Sequence, residues 1–120
     1  MWALGQVAPV QALPKWRMDP KAYCVYLLAS ARNGVLYTGA TSRLIARIHE
    51  HKTWAVSGFT ERYRVNQLVW FEVHGDARSM VERERRIKEW PRAWKVRLIE
   101  ETNPRWVDLY GELLGGPMLR

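Results

Sequence analysis

Two strand-like runs meet at the dipeptide Asn33-Gly34, and that junction constrains the fold of this chain more than any other feature. Residues 23–29 and 35–38 are rich in aromatic and branched side chains, which suit a pleated, half-buried surface. Asn and Gly both tolerate positive φ, so Asn33-Gly34 predicts a two-residue hairpin turn. Such a turn sets Ser30 opposite Tyr37, with Tyr26 on the same face, while a shifted register sets Tyr26 directly opposite Tyr37. Side chains alternate along a strand, so both registers bring the two phenols to one face. Ordinary strand tyrosines with their hydroxyls at the rim satisfy the same pattern.

The rest of the chain supplies helices. Gly39 is expected to break the second strand, and Thr41 or Ser42 to cap a helix reaching about Lys52. A polar loop containing Gly58 follows, then a third strand over residues 67–73. Asp76 opens a helix that Pro91 stops at about Trp90. A short helix is expected over residues 93–100, and a last one with Asn103 at its cap and Pro104 in its first turn. The order indicates an α+β domain, a small three-stranded antiparallel or mixed sheet flanked by helices. Residues 1–20, punctuated by Pro9, Pro14 and Pro20, read as a poorly structured extension. The folded domain is expected over 21–114 and a C-terminal tail over 115–120.

At 120 residues the chain suits one domain with a small core. Its net charge of +7 and pI of about 10.0 suit a polyanion such as nucleic acid, or an anionic membrane surface. Cys24 is the sole cysteine, which excludes an internal disulfide and a Cys-rich zinc site. No apolar run approaches the ~18 residues of a membrane span. Residues 1–13 lack a basic start and make a poor signal peptide, so a cytoplasmic location without a membrane partner is expected. There is no Gly-rich phosphate loop, no His-Glu-x-x-His and no serine nucleophile elbow. His49, His51 and His74 lack a metal-ligand spacing.

Two helices carry unusual polar residues. In the first, Leu44, Ile45 and Ile48 form the apolar stripe, Arg47 borders it, and His51 lies near its centre one turn later. Read alone, the pattern favours a solvated basic helix with a partly buried histidine. In the helix after Asp76, the apolar positions are Ala77, Met80, Val81 and Ile87, and Glu84 completes their period facing the sheet. A buried carboxylate needs a cation, either a metal or an arginine such as Arg47 or Arg62, and the pattern leaves both open.

Taken in order, these residues resemble a known family. From Tyr23 to about Leu113 the chain is similar to the GIY-YIG (URI) endonuclease domain, in particular its small stand-alone bacterial members. Cys24-Val25-Tyr26 and Tyr37-Thr38-Gly39 stand at the two tyrosine motifs, and Glu82-Arg83-Glu84-Arg85-Arg86 at the glutamate motif. The resemblance implies catalytic roles for Tyr26, Tyr37, Arg47 and His51, with Glu84 binding one Mg²⁺ or Mn²⁺. Asn103 falls on the family's late asparagine, though a helix cap accounts for it as well. Cys24 and Thr38 depart from the family's glycine and isoleucine, and Ala40 stands where repair-type members carry lysine.

The implied activity is metal-dependent hydrolysis of phosphodiester bonds in DNA, structure-directed and linked to repair or recombination. The implied partners are DNA, whether single-stranded, branched or duplex, and a protein that supplies specificity. Tyr26 would take a proton from the attacking water, which requires Arg47 and the metal to lower its pKa. Arg43, Lys52, Arg62, Arg64 and Lys88 are candidate backbone contacts, as are Arg83, Arg92 and Lys95. Trp54 or Phe59 stacks on an unpaired base or is buried. The alternatives are a basic nucleic-acid-binding module without cleavage and a basic scaffold that binds a protein partner.

Overall fold

A computed structural model describes residues 22–54 and 58–117. The expected extension over 1–20 lies outside the described residues. The elements, in order, are β1 (Tyr23–Ala29), β2 (Leu36–Thr41), α1 (Leu44–Lys52), α2 (Phe59–Arg62), β3 (Gln67–His74), α3 (Ala77–Glu89), α4 (Arg92–Thr102) and α5 (Tyr110–Leu113). The strands form one antiparallel sheet in the order β2-β1-β3. This is the expected α+β class, with the sheet wholly antiparallel.

β1 is central and buried on both faces, which is why six successive residues from Cys24 to Ala29 are apolar or aromatic. Its even-numbered side chains, Cys24, Tyr26 and Leu28, join Leu44, Ile48, Val65, Leu68, Leu109 and Leu113 in one layer. Val25, Leu27 and Ala29 join Val69, Trp70, Met80, Ile87, Ile99 and Trp106 in the other. A register shift between Leu27 and Leu28 lets both Val69 and Trp70 fall into this second layer. The helix α3 packs on β1 and β2, α4 on β3, and α5 on α1.

The hairpin differs from the expected two-residue turn. Leu28 opposes Tyr37 and Tyr26 opposes Gly39, a register between the two that the turn dipeptide suggests. A type I′ turn needs positive φ at both central residues. Here Asn33 has φ 61°, but Gly34 is not among the positive-φ residues. The chain instead closes a longer loop, in which Ser30 N–H donates to Val35 O at 3.0 Å and Gly34 N–H to Ala31 O at 2.9 Å. A Cβ on Gly34 would lie 2.3 Å from Ser30 Oγ, so close approach is what requires the glycine. Arg92 clamps the loop, donating to the carbonyls of Asn33 and Gly34 at 3.0 and 2.7 Å.

Other boundaries are also corrected. Gly39 lies inside β2 and does not end it. Arg43, not Thr41 or Ser42, stands at the cap of α1, and the Thr41 hydroxyl accepts from Arg43 N–H at 3.0 Å in the preceding turn. The polar loop holds the short helix α2. Asp76 caps α3 as expected, accepting from Ser79 N–H at 2.8 Å. Asn103 and Pro104 start no helix, for Asn103 closes α4. Its amide donates to Val69 O (3.0 Å) and Val107 O (2.8 Å) and accepts from Val107 N–H (3.0 Å), tying the C-terminal segment to β3.

Candidate active site

The register places the Tyr26 ring across the backbone of Gly39. A Cβ on Gly39 would sit 2.5 Å from Tyr26 Cζ and from its hydroxyl oxygen, so only glycine leaves the phenol room to cross β2. Tyr37, on the same face, holds its ring centroid 6.3 Å from that of Tyr26. From α1, His51 completes the group, its ring 6.0 Å from Tyr26 and 5.6 Å from Tyr37. Tyr26 Oη and His51 Nε2 are 3.2 Å apart. Arg47 stands near enough to the same phenol to favour its ionisation, and its guanidinium pairs with Glu50 at 3.3 Å.

His51 is fully buried, and burial, then the charge of Arg47, push its pKa down to about 4. It is a neutral ring at pH 7, with one nitrogen donating and the other accepting. Its Nδ1 lies 3.1 Å from the hydroxyl of Thr60, itself buried in α2. When Nδ1 carries the proton and donates to Thr60, Nε2 is left to accept from Tyr26. Thr60 was missed in the sequence because α2 spans a single turn and no periodicity reveals so short an element.

Burial pushes the Tyr26 phenol up to about 12, against the lowering by Arg47, with Tyr37 and Glu84 adding to the rise. Arg47 acts in the expected lowering direction, but desolvation outweighs it. Glu84, on α3, stands near enough for its charge to oppose ionisation of Tyr26. Its side chain is partly buried, and Lys88 pairs with it at 3.5 Å, one turn along the helix. Neither expected arginine serves, for Arg47 binds Glu50 and Arg62 lies over the Tyr63 ring. Of the expected apolar stripe on α3, Met80 and Ile87 are buried, whereas Ala77 and Val81 are exposed.

The donor set suits a hard cation. Glu84 offers carboxylate oxygens engaged by one long contact to a half-exposed lysine. Among the described residues no group of three or more His, Cys, Asp or Glu side chains could hold a metal. A cation here must complete its shell with water and substrate oxygens, as Mg²⁺ and Mn²⁺ readily do and structural zinc does not.

The basic candidates divide. Arg43, Arg62 and Arg64 are exposed, and Lys88 is exposed beside Glu84. Lys52 is committed within the fold, donating to Asn66 O at 3.1 Å and to the Asp108 carboxylate. Arg83 pairs with Glu72 and lies over the Trp90 ring. Lys95 donates to Lys88 O at 3.4 Å. Asn103 is fully buried, with its amide bonded to the backbone of Val69 and Val107.

A family model, the GIY-YIG catalytic domain, matches residues 22–97. The chain belongs to the GIY-YIG family. The matched region is the catalytic domain of that family. A UPF0213 protein of Aeromonas salmonicida (strain A449) is 31% identical over 86 residues, covering 72% of this chain and 62% of that relative. The solution structure of a UPF0213 protein from Bacillus halodurans aligns with a TM-score of 0.47 and 22% identity, over 75% of this chain and 95% of that one. The chain spans under two thirds of the length of the Aeromonas salmonicida relative. Among the described residues no helix is long and apolar enough to cross a membrane.

Proposed function

We propose that this protein is a metal-dependent endonuclease that cuts DNA at structural features, in the service of repair or recombination. The reading rests above all on one observation: Tyr26, crossing Gly39, meets His51 at 3.2 Å, with Arg47, Tyr37 and the Glu84 charge around the same phenol.

In this reading Arg47 donates to a phosphoryl oxygen and offsets the charge that grows there. Tyr26 takes the proton of the attacking water once its own proton has left to solvent, and neutral His51, too weakly basic to keep that proton, orients the phenol through Nε2. Water oxygen bonds to phosphorus, the P–O3′ bond breaks, and the departing oxygen is protonated from solvent. Thr60 holds His51 in the tautomer that accepts, and Tyr37 walls the phenol from bulk water. A divalent cation held by Glu84 would supply positive charge at the phosphate and leaving oxygen and cancel that carboxylate's opposition to the ionisation of Tyr26.

Tyr26→Phe keeps the ring over Gly39 and removes the proton acceptor. It is expected to lower the cleavage rate at least roughly 100-fold, with DNA affinity held. Cutting at the wild-type rate would contradict the role. Wild-type binding with no cutting in Mg²⁺ or Mn²⁺ would favour the alternative, a binding module of the same fold.

A further inference from the structure

The aromatic groups do not end at the catalytic rings. Phe59 stacks beside Tyr37, with centroids 6.2 Å apart and planes at 30°. Tyr63 follows at 4.8 Å from Phe59. Phe59 is 46% exposed and Tyr63 45% exposed, although both are large rings. A ladder Tyr26–Tyr37–Phe59–Tyr63 thus runs from the buried phenol to open surface. It borders a concavity of about 550 Å³ lined by Gly58, Phe59, Glu61, Arg62 and Tyr63. Gly58, at φ 105°, holds a conformation that L side chains rarely adopt, and among the described residues no atom lies within 4 Å of where its Cβ would be.

Cations accompany the rings. The Arg62 guanidinium lies 5.6 Å from the Tyr63 centroid, and that of Arg64 lies 5.6 Å from Trp54. An exposed aromatic patch edged by arginines is costly as bare surface, and its charge fits an anionic ligand with flat apolar faces. A nucleotide has both parts, a π-face for the ring and a phosphate for the guanidinium. Bases within duplex DNA are stacked and offer no free face. We infer that Phe59 and Tyr63 form a stacking platform for an unpaired base flanking the scissile phosphate, with Arg62 on its backbone. The platform selects DNA with a single-stranded arm beside the site. The inference rests on the nuclease reading for its location, but it is tested without cleavage.

The test uses the full chain in EDTA, where no metal-dependent cutting occurs. The probes are a blunt duplex and the same duplex with a short overhang carrying 2-aminopurine, whose fluorescence falls on stacking. Wild type should quench the probe and bind the overhang substrate more tightly. Phe59→Leu and Tyr63→Leu, checked for native melting, should each relieve the quenching and cut the overhang-to-blunt affinity ratio roughly tenfold. Unchanged quenching and an unchanged ratio in both variants would overturn the platform and leave the patch to a protein partner. Equal losses on both substrates would also overturn it, because the rings would then act without regard to pairing. Loss of the ratio supports the platform even if wild type fails to cut in Mg²⁺, a result that would count against the nuclease reading alone.

Discussion

His51 shows how one buried side chain ties folding to chemistry. Its ring joins Tyr26 to Thr60 and is sealed from solvent. With a folded pKa of about 4 against 6.5 unfolded, it resists a proton that the unfolded chain accepts. Between these values the unfolded state binds more protons, so stability falls as pH drops through 6.5 and levels off below about 4. The loss attributable to this residue should reach roughly 3 kcal/mol. Urea unfolding at pH 7 and at pH 4 to 5, compared with His51→Gln, isolates it from His49 and His74. Parallel pH profiles for the two proteins would contradict the assignment. The position of this histidine was legible from helical spacing alone, whereas its partner Thr60 was hidden in a one-turn helix. That Glu84 faces inward was legible as a period, but its actual ion pair, a neighbouring lysine, was not. An i,i+4 pair leaves no mark that separates it from ordinary surface charge.

At the scale of elements, the sheet was readable because β1 is apolar on both faces and the strand runs are bounded by turn residues. The register was not, because it depends on Gly34 and Ser30 packing within the loop and on Gly39 yielding to the Tyr26 ring. Neither contact has a sequence period. The end of α4 was misread for a related reason: Asn-Pro signals a helix start, but here the asparagine side chain turns inward and donates to the carbonyls of Val69 and Val107. Asn103→Ala would strand Val69 O and Val107 N–H, at a cost of roughly 3 kcal/mol. A fall in the urea midpoint at constant slope, with residual cleavage per folded molecule near wild type, would mark Asn103 as a structural tie. Near-normal stability with lost cleavage would make it part of the active site.

At the scale of the molecule, one sheet edge gathers the phenols, arginine and histidine of β1, β2 and α1, and α3 brings Glu84 to the same phenol. The chain carries a net charge of +7, and Arg43, Arg62 and Arg64 are exposed, so DNA affinity should weaken steeply with salt. The central claim is that these parts form one hydrolytic centre and not a basic surface that happens to contain them. Cleavage of end-labelled flap DNA in Mg²⁺, by wild type and Glu84→Ala at matched occupancy, tests it most directly. The account predicts metal-dependent cutting by wild type, abolished by EDTA, and a rate for Glu84→Ala at least roughly 1000-fold lower with binding retained. Equal cutting by the two proteins, or none by wild type, would contradict it.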